Sequence, residues 1–86
     1  MKDSESLPKD FIVDFYKTIG LNVKKEREKK KLSQLQLSQA IGHKSVSIIS
    51  RAEICYKGQH FNIEHLVKIA YVLEIDTNVL IPKLNI

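Results

Sequence analysis

Polar side chains that could bind a polar partner are concentrated in residues 32–53, LSQLQLSQAIGHKSVSIISRAE. The glutamines and serines can both donate and accept hydrogen bonds, and Lys44 and Arg51 add positively charged donors. Apolar residues recur among them at intervals typical of helices, at Leu32, Leu37, Ala40, Ile41, Ile49 and Ala52. The pattern indicates two helices whose outer surface is either simply hydrated or hydrogen-bonded to a polar partner.

Catalytic or metal-binding chemistry has only three candidate residues, Cys55, His60 and His65. An enzyme needs a nucleophile or an acid–base pair with a partner that orients it. The spacing of the two histidines, across a boundary between loop and helix, matches no metal-binding or Cys–His signature. We therefore predict that the protein is not an enzyme, that it has no metal or cofactor, and that Cys55 is a small, partly buried side chain.

The first of the two helices is delimited by a capping box and a glycine. The Ser33 hydroxyl can accept a hydrogen bond from the backbone three residues on, while Gln36 reaches back to the backbone of Ser33. A helix over residues 34–41 follows, and Gly42 ends it because glycine adopts a left-handed conformation at low cost. Three residues of this helix are expected to face the core: Leu37, Ala40 and Ile41.

The second of the two helices is predicted over residues 46–54, with Ser45 as its N-cap. Helical spacing places Ile49 and Ala52 on its inner side. The outer side is then shared by Val46, Ser47, Ser50 and Arg51.

The remaining helices are marked by apolar spacing and by capping residues. A short amphipathic helix is predicted within residues 4–17, and Gly20 either ends or interrupts it before a charged helix over residues 21–31. Asn62 caps a helix over residues 63–73, and Asp76 or Thr77 begins a last helical turn that stops at Pro82. The predicted core stripe of the 63–73 helix is Ile63, Leu66, Val67, Ala70 and Leu73. The fold class expected is a compact all-α bundle.

Length, charge and cysteine content narrow the protein class. A chain of 86 residues forms one domain, and its single cysteine excludes an internal disulfide, which fits the reducing cytoplasm. No apolar run approaches the roughly 20 residues of a membrane span, so no membrane is expected. The net charge of +4 permits nucleic acid or an acidic partner. The positive excess lies in residues 17–31, where seven basic residues stand against two acidic ones.

Over residues 19–80 the chain resembles the lambda-repressor-like, XRE-type (Cro/repressor) family of helix-turn-helix DNA-binding domains. The resemblance implies five helices and divides the chain into an N-terminal helical extension (1–18), the DNA-binding domain (19–80) and a tail (81–86). The matching residues are Ile19-Gly20, Val23, Leu32-Ser33-Gln34, Leu37, Ile41-Gly42, Ile49-Ser50-Arg51-Ala52-Glu53, Leu66-Val67-Lys68-Ile69-Ala70, Leu73 and the 76–80 ending. The chain departs from the family in a turn one residue longer around residues 43–45, in a longer loop over 54–61 and in Ser38, where alanine is common.

The resemblance implies that the third helix enters the major groove of double-stranded DNA, N-terminus first. Arg51 would fork onto guanine, Val46 suits a thymine methyl, and both Ser47 and Ser50 would face base edges. The phosphate contacts implied are Gln34, Lys44, Ser45, Tyr56 and Lys57. The resemblance also pairs Arg27 with Glu53 in a partly buried ion pair that ties the first helix to the third.

The function expected from this resemblance is that of a small cytoplasmic transcriptional regulator, a repressor that binds DNA as a homodimer. The resemblance leaves open an alternative, the antitoxin of a toxin–antitoxin pair, which would bind both a toxin protein and its own operator. Two surfaces are candidates for self-association: the C-terminal end, with Val79, Leu80, Ile81 and Leu84, and the added segment with Phe11, Phe15 and Tyr16.

Overall fold

The computed structural model describes residues 1–85, which form five α-helices and no strand. The helices are α1 (Phe11–Lys29), α2 (Gln34–Ala40), α3 (Ser47–Glu53), α4 (Ile63–Leu73) and α5 (Thr77–Leu80), with short 3-10 turns at Ser4–Ser6 and Tyr56–Gly58. The all-α fold predicted from the sequence is confirmed. Ile86 of the predicted tail lies outside the described residues.

Helix α1 runs without a break through Gly20, so the two helices expected on either side of this glycine are one helix. Gly20 is buried, and a Cβ atom there would lie 2.4 Å from the carbonyl oxygen of Glu53 and 2.7 Å from that of Ala52. The glycine is therefore needed for the close approach of α1 to α3 and does not end a helix. The helix also stops earlier than expected, at Lys29, and Lys31 takes a left-handed conformation with φ of 59°.

Helix α2 begins at Gln34 as predicted and ends at Ala40, one residue before the predicted end, and the capping motifs form at both of its ends. Ser33 Oγ accepts from the Gln36 N–H at 3.0 Å, and Gln36 Oε1 accepts from the Ser33 N–H at 2.8 Å. At the other end Gly42 has φ of 92°, and the His43 N–H bonds back to the Ser38 carbonyl at 3.0 Å. This is the glycine-dependent C-terminal motif that satisfies the last carbonyls of a helix.

The buried side of α2 differs from the prediction. Leu37 and Ile41 are buried as expected, but Ala40 is exposed and Ser38 is fully buried in its place. The small Ser38 side chain faces the turn before α3, where its hydroxyl donates to the Ser45 carbonyl. A serine can occupy this crossing because its hydroxyl finds a partner there.

Helix α3 is shorter than predicted at both ends. Val46 is its N-cap residue and already has helical dihedral angles, while Ser45 Oγ accepts from the Ser47 N–H at 3.2 Å. Ser45 therefore supports the helix start from one position further out than expected. Ile49 and Ala52 are buried, as the spacing predicted.

Helix α4 has the predicted bounds, and Asn62 caps it by accepting from the His65 N–H at 2.8 Å. Its core side is different, since Ile63 and Val67 are exposed and Ile69 is fully buried. The helix is apolar around most of its circumference, so spacing alone did not identify the side that packs. An exposed apolar stripe remains on the outer side of α4, formed by Ile63, Val67 and Tyr71.

The short helix α5 closes the core. Asp76 caps it by accepting from the Asn78 N–H at 3.2 Å, and Leu80 is fully buried. Asn22 of α1 donates to the Leu80 carbonyl at 3.0 Å, which ties the first helix to the last. Leu80 is therefore a core residue and was wrongly placed on a self-association surface; Val79 and Leu84 are exposed.

Candidate nucleic-acid interface

The outer side of α3 carries the four predicted base-contacting residues. Arg51 and Val46 are exposed, and Ser47 and Ser50 are half-buried. The Ser50 hydroxyl donates to the Ser47 carbonyl at 3.4 Å, and the Ser47 hydroxyl lies against that of Ser45. The two serines thus have local hydrogen-bond partners, while the Arg51 guanidinium has none among the protein's hydrogen bonds in the described residues.

The inner side of α3 ends in a buried charge network. Arg27 Nε donates to Glu53 Oε2 at 2.8 Å, and the two side chains are only 8% and 1% exposed. Arg27 also donates to the Leu32 carbonyl at 2.8 Å, so its guanidinium links α1, α3 and the segment before α2. The two residues that the resemblance paired are thus brought together.

Gln34 joins this network. Its amide nitrogen donates to Glu53 Oε1 at 2.9 Å, and its side chain is half-buried. The predicted phosphate-contacting side chain is therefore fixed by the same carboxylate that pairs with Arg27. No signal in the sequence marked this contact, because the two residues lie on different helices with unrelated local patterns.

The four other predicted phosphate contacts are exposed beside α3: Lys44, Ser45, Tyr56 and Lys57. Lys44 and Ser45 lie in the turn before α3, and Tyr56 and Lys57 lie in the turn after it. The Tyr56 ring centroid is 5.9 Å from Arg51 Cζ and 5.4 Å from Lys57 Nζ, within the range of cation–π attraction. These side chains flank α3 at both of its ends.

The histidines occupy structural positions. His65 Nδ1 accepts from the Asn62 N–H at 3.1 Å, and its ring meets that of His43 edge-on at 5.6 Å. Burial, with His43 nearby, lowers the pKa of His65. His60 stacks on Tyr16 at 3.7 Å between ring centroids. In residues 1–85 no group of three or more His, Cys, Asp or Glu side chains is placed to hold a metal ion.

Cys55 is half-buried, as expected, and its thiol points to the Ala52 carbonyl at 4.0 Å. Burial raises the pKa of this thiol, and Lys17 opposes the shift only in part. A raised pKa disfavours the reactive thiolate. Among the described residues, no helix combines the length and the apolar character that crossing a membrane requires.

Comparison with known proteins agrees with this geometry. The Helix-turn-helix family model (HTH_3) matches residues 23–80. No curated protein sequence matches the chain. Among solved structures, the chain is similar to the restriction-modification controller protein C.AhdI from Aeromonas hydrophila, with a TM-score of 0.66 and 25% identity, covering 79% of this chain and 97% of that one. The chain therefore belongs to the helix-turn-helix family of XRE-type, lambda-repressor-like DNA-binding transcription regulators.

Proposed function

We propose that this protein is a cytoplasmic repressor that binds one double-stranded operator sequence through the outer side of α3. The observation that carries the proposal is the contrast within this helix. Its inner side is fixed by a buried ion pair, while its outer side presents the exposed Arg51 and Val46. A helix held in this way can enter the major groove with little reorganisation.

Base recognition is assigned mainly to Arg51. Its planar guanidinium can donate two hydrogen bonds to the O6 and N7 acceptors of guanine. Val46, at the start of α3, suits a thymine methyl group. Ser47 and Ser50 are proposed to contact base edges as well, but hydroxyls donate and accept alike and their bonds within the protein limit what they specify.

Phosphate contacts are assigned to Gln34, Lys44, Ser45, Tyr56 and Lys57. Such contacts position the protein and contribute little sequence information. The Glu53 carboxylate fixes the Gln34 amide, which supports a role for Gln34 as an oriented donor at the start of α2. The similarity to a controller protein supports a regulatory role for this binding.

We further propose that two copies bind one pseudo-palindromic site, because one arginine and two serines provide little specificity alone. Two half-sites about one helical turn apart double the contacts. The proposed dimer surface is the C-terminal end, where Val79 and Leu84 are exposed, whereas the half-buried Ile81 packs against the core. Ile12 and Val13 on α1 form the alternative surface, since Phe15 and Tyr16 pack against the core.

A second candidate function is supported by the exposed apolar stripe of Ile63, Val67 and Tyr71. Apolar patches on small soluble proteins commonly mark protein contacts. An antitoxin would use such a surface to bind its toxin while α3 binds the operator. A toxin that copurifies with the protein, and is released by Val67→Asp, would favour this function.

The experiment that tests the proposed function is a selection of binding sites from a random DNA library, followed by titration of the selected site. We expect a palindromic site, two proteins per site in sedimentation, and a fall of roughly 0.9 log units in affinity per tenfold salt for each phosphate neutralised. Val79→Asp should weaken dimerisation and Ile12→Asp should not. Failure to enrich any site would contradict sequence-specific binding, and one protein per site would contradict the dimer.

A further inference from the structure

The turn after α3 places an aromatic ring beside the main base-reading side chain. The Tyr56 ring centroid lies 5.9 Å from Arg51 Cζ, and the tyrosine residue is 44% exposed. Tyr56 is absent from the residues that pack on the core. A role in core packing therefore does not explain its position.

We propose that Tyr56 is a positioning residue for Arg51, whose guanidinium it holds in the orientation that reads guanine. This inference rests on the proposed function, since it assumes that Arg51 contacts a base. It assigns to the aromatic ring a role separate from the phosphate contact proposed for the tyrosine hydroxyl.

The chemistry of the two groups fits this role. A guanidinium attracted to the face of an aromatic ring can leave its N–H donors, which lie in its plane, free to form a bidentate contact. A free arginine side chain must also give up rotational freedom when it binds, and a ring that holds it beforehand lowers that cost. Lys57 Nζ, at 5.4 Å from the same ring, adds a positive charge at this edge of the interface.

The backbone around Tyr56 is bent to bring the ring back toward α3. Cys55 and Lys57, on either side of it, have φ of 51° and 50°, and Gly58 has φ of 79°. Left-handed conformations are unfavourable for residues with a Cβ atom. Hydrogen bonds from the Cys55 N–H to the Ala52 carbonyl and from the Gly58 N–H to the Cys55 carbonyl hold this path.

The test compares two variants in their binding to the selected operator. Tyr56→Leu removes both the ring and the hydroxyl, whereas Tyr56→Phe removes the hydroxyl alone. The quantity compared is the ratio of Kd values for the operator with guanine and with adenine at the position that Arg51→Ala identifies. We expect Tyr56→Leu to lower this preference about two- to five-fold, the range of an exposed cation–π contact. Tyr56→Phe should keep it. In the Arg51→Ala background, Tyr56→Leu should change the preference no further.

A readout on the free protein makes the inference testable without DNA. The side-chain protons of Arg51 should show an upfield ring-current shift in the NMR spectra of the wild type and Tyr56→Phe, and the shift should be absent in Tyr56→Leu. Matching amide spectra away from residues 51–58 serve as the control for folding.

Three results would overturn the inference. An unchanged base preference in Tyr56→Leu, with weaker binding to all sequences in both variants, would reduce Tyr56 to a phosphate contact. Absence of the ring-current shift in the wild type would show that the Tyr56 ring does not hold the Arg51 side chain in solution. An unchanged preference in Arg51→Ala would remove the base contact itself, a failure of the proposed function that is visible separately because it does not involve Tyr56.

Discussion

The two sides of α3 are held in different ways. On the inner side Ile49, Ala52 and Glu53 are buried, and α1 approaches so closely that Gly20 meets the backbone of α3. On the outer side Arg51 is exposed, and the Tyr56 ring centroid lies 5.9 Å from its Cζ atom. The difference indicates that the contacts on the inner side determine the orientation of α3. The outer residues can then be optimised for a DNA sequence without loss of the fold.

The largest effect is expected on the inner side, from Glu53→Ala. This change leaves the Arg27 guanidinium buried without its carboxylate and also removes the partner of Gln34. Breaking a buried pair from one side costs about 3–5 kcal/mol. Urea unfolding should therefore show a large loss in the free energy of unfolding.

The matched control is Glu64→Ala, which removes the exposed pair of Glu64 with Lys68 at 3.1 Å. An exposed pair contributes about 0–1 kcal/mol. Similar losses for Glu53→Ala and Glu64→Ala would show that the inner pair is hydrated in solution, and the contrast between the two sides of α3 would not hold.

A second test of the inner side is Gly20→Ala, where the sign of the effect is informative. Within a helix, alanine is about 1 kcal/mol more favourable than glycine. Here the added Cβ would meet the Glu53 carbonyl oxygen at 2.4 Å, so α1 and α3 must separate. Overpacking of this kind costs about 1–3 kcal/mol, and we expect a net loss of stability in thermal unfolding.

The neighbouring substitution Leu21→Ala is the control for Gly20→Ala, because Leu21 is exposed on the same helix. It should change stability by no more than about 0.5 kcal/mol. A Gly20→Ala variant more stable than the wild type would mean that helix propensity outweighs the contact between α1 and α3.

Substitution on the outer side of α3 should change DNA recognition and leave stability almost unchanged. Arg51→Ala should leave the free energy of unfolding within about 0.5 kcal/mol of the wild type, because its side chain is exposed. In DNA titrations it should remove about 1–3 kcal/mol of discrimination at one guanine in each half-site. Lys44→Ala is the control, since loss of the phosphate contact proposed for Lys44 should weaken binding to all sequences alike. Unchanged discrimination in Arg51→Ala would assign Arg51 to the phosphates.

Local signals in the sequence were sufficient for the helices with strong caps. The Ser33–Gln36 box and the Asn62 cap each depend on residues a few positions apart, and both form as predicted. Gly20 shows the limit of such signals. A glycine within a helical pattern suggests a break, and only the distant carbonyl of Glu53 shows that it is needed for packing.

The candidate site was also predictable only where local sequence signals determine it. Helical spacing identified the outer residues of α3, because which side of a short helix is apolar can be read from its own sequence. The contacts that orient them were not predictable, since Gln34 meets Glu53 from another helix and Tyr56 reaches Arg51 through a bent turn. Spacing also failed on α4, where apolar residues lie on most sides: it placed the exposed Val67 in the core stripe and left out the fully buried Ile69.

The smallest effect on stability is expected from His65 of α4. Its ring accepts a hydrogen bond from the N–H of the N-cap residue Asn62 and contacts His43 in the turn before α3. Burial and His43 lower the pKa of His65, and of the two charged neighbours Glu64 opposes this shift while Lys68 adds to it. Because the pKa is lower in the folded state, the contribution of His65 to stability is complete above the unfolded value, about 6.5, and is lost as pH falls through the folded value.

His65→Gln keeps an acceptor for the cap but does not titrate. Between pH 7.5 and 5.5, the wild type should lose less than about 1 kcal/mol relative to this variant, because a cap contributes about that much. The difference between the thermal midpoints of the two proteins at each pH reports the effect of His65, and identical pH profiles would show that its protonation does not affect folding.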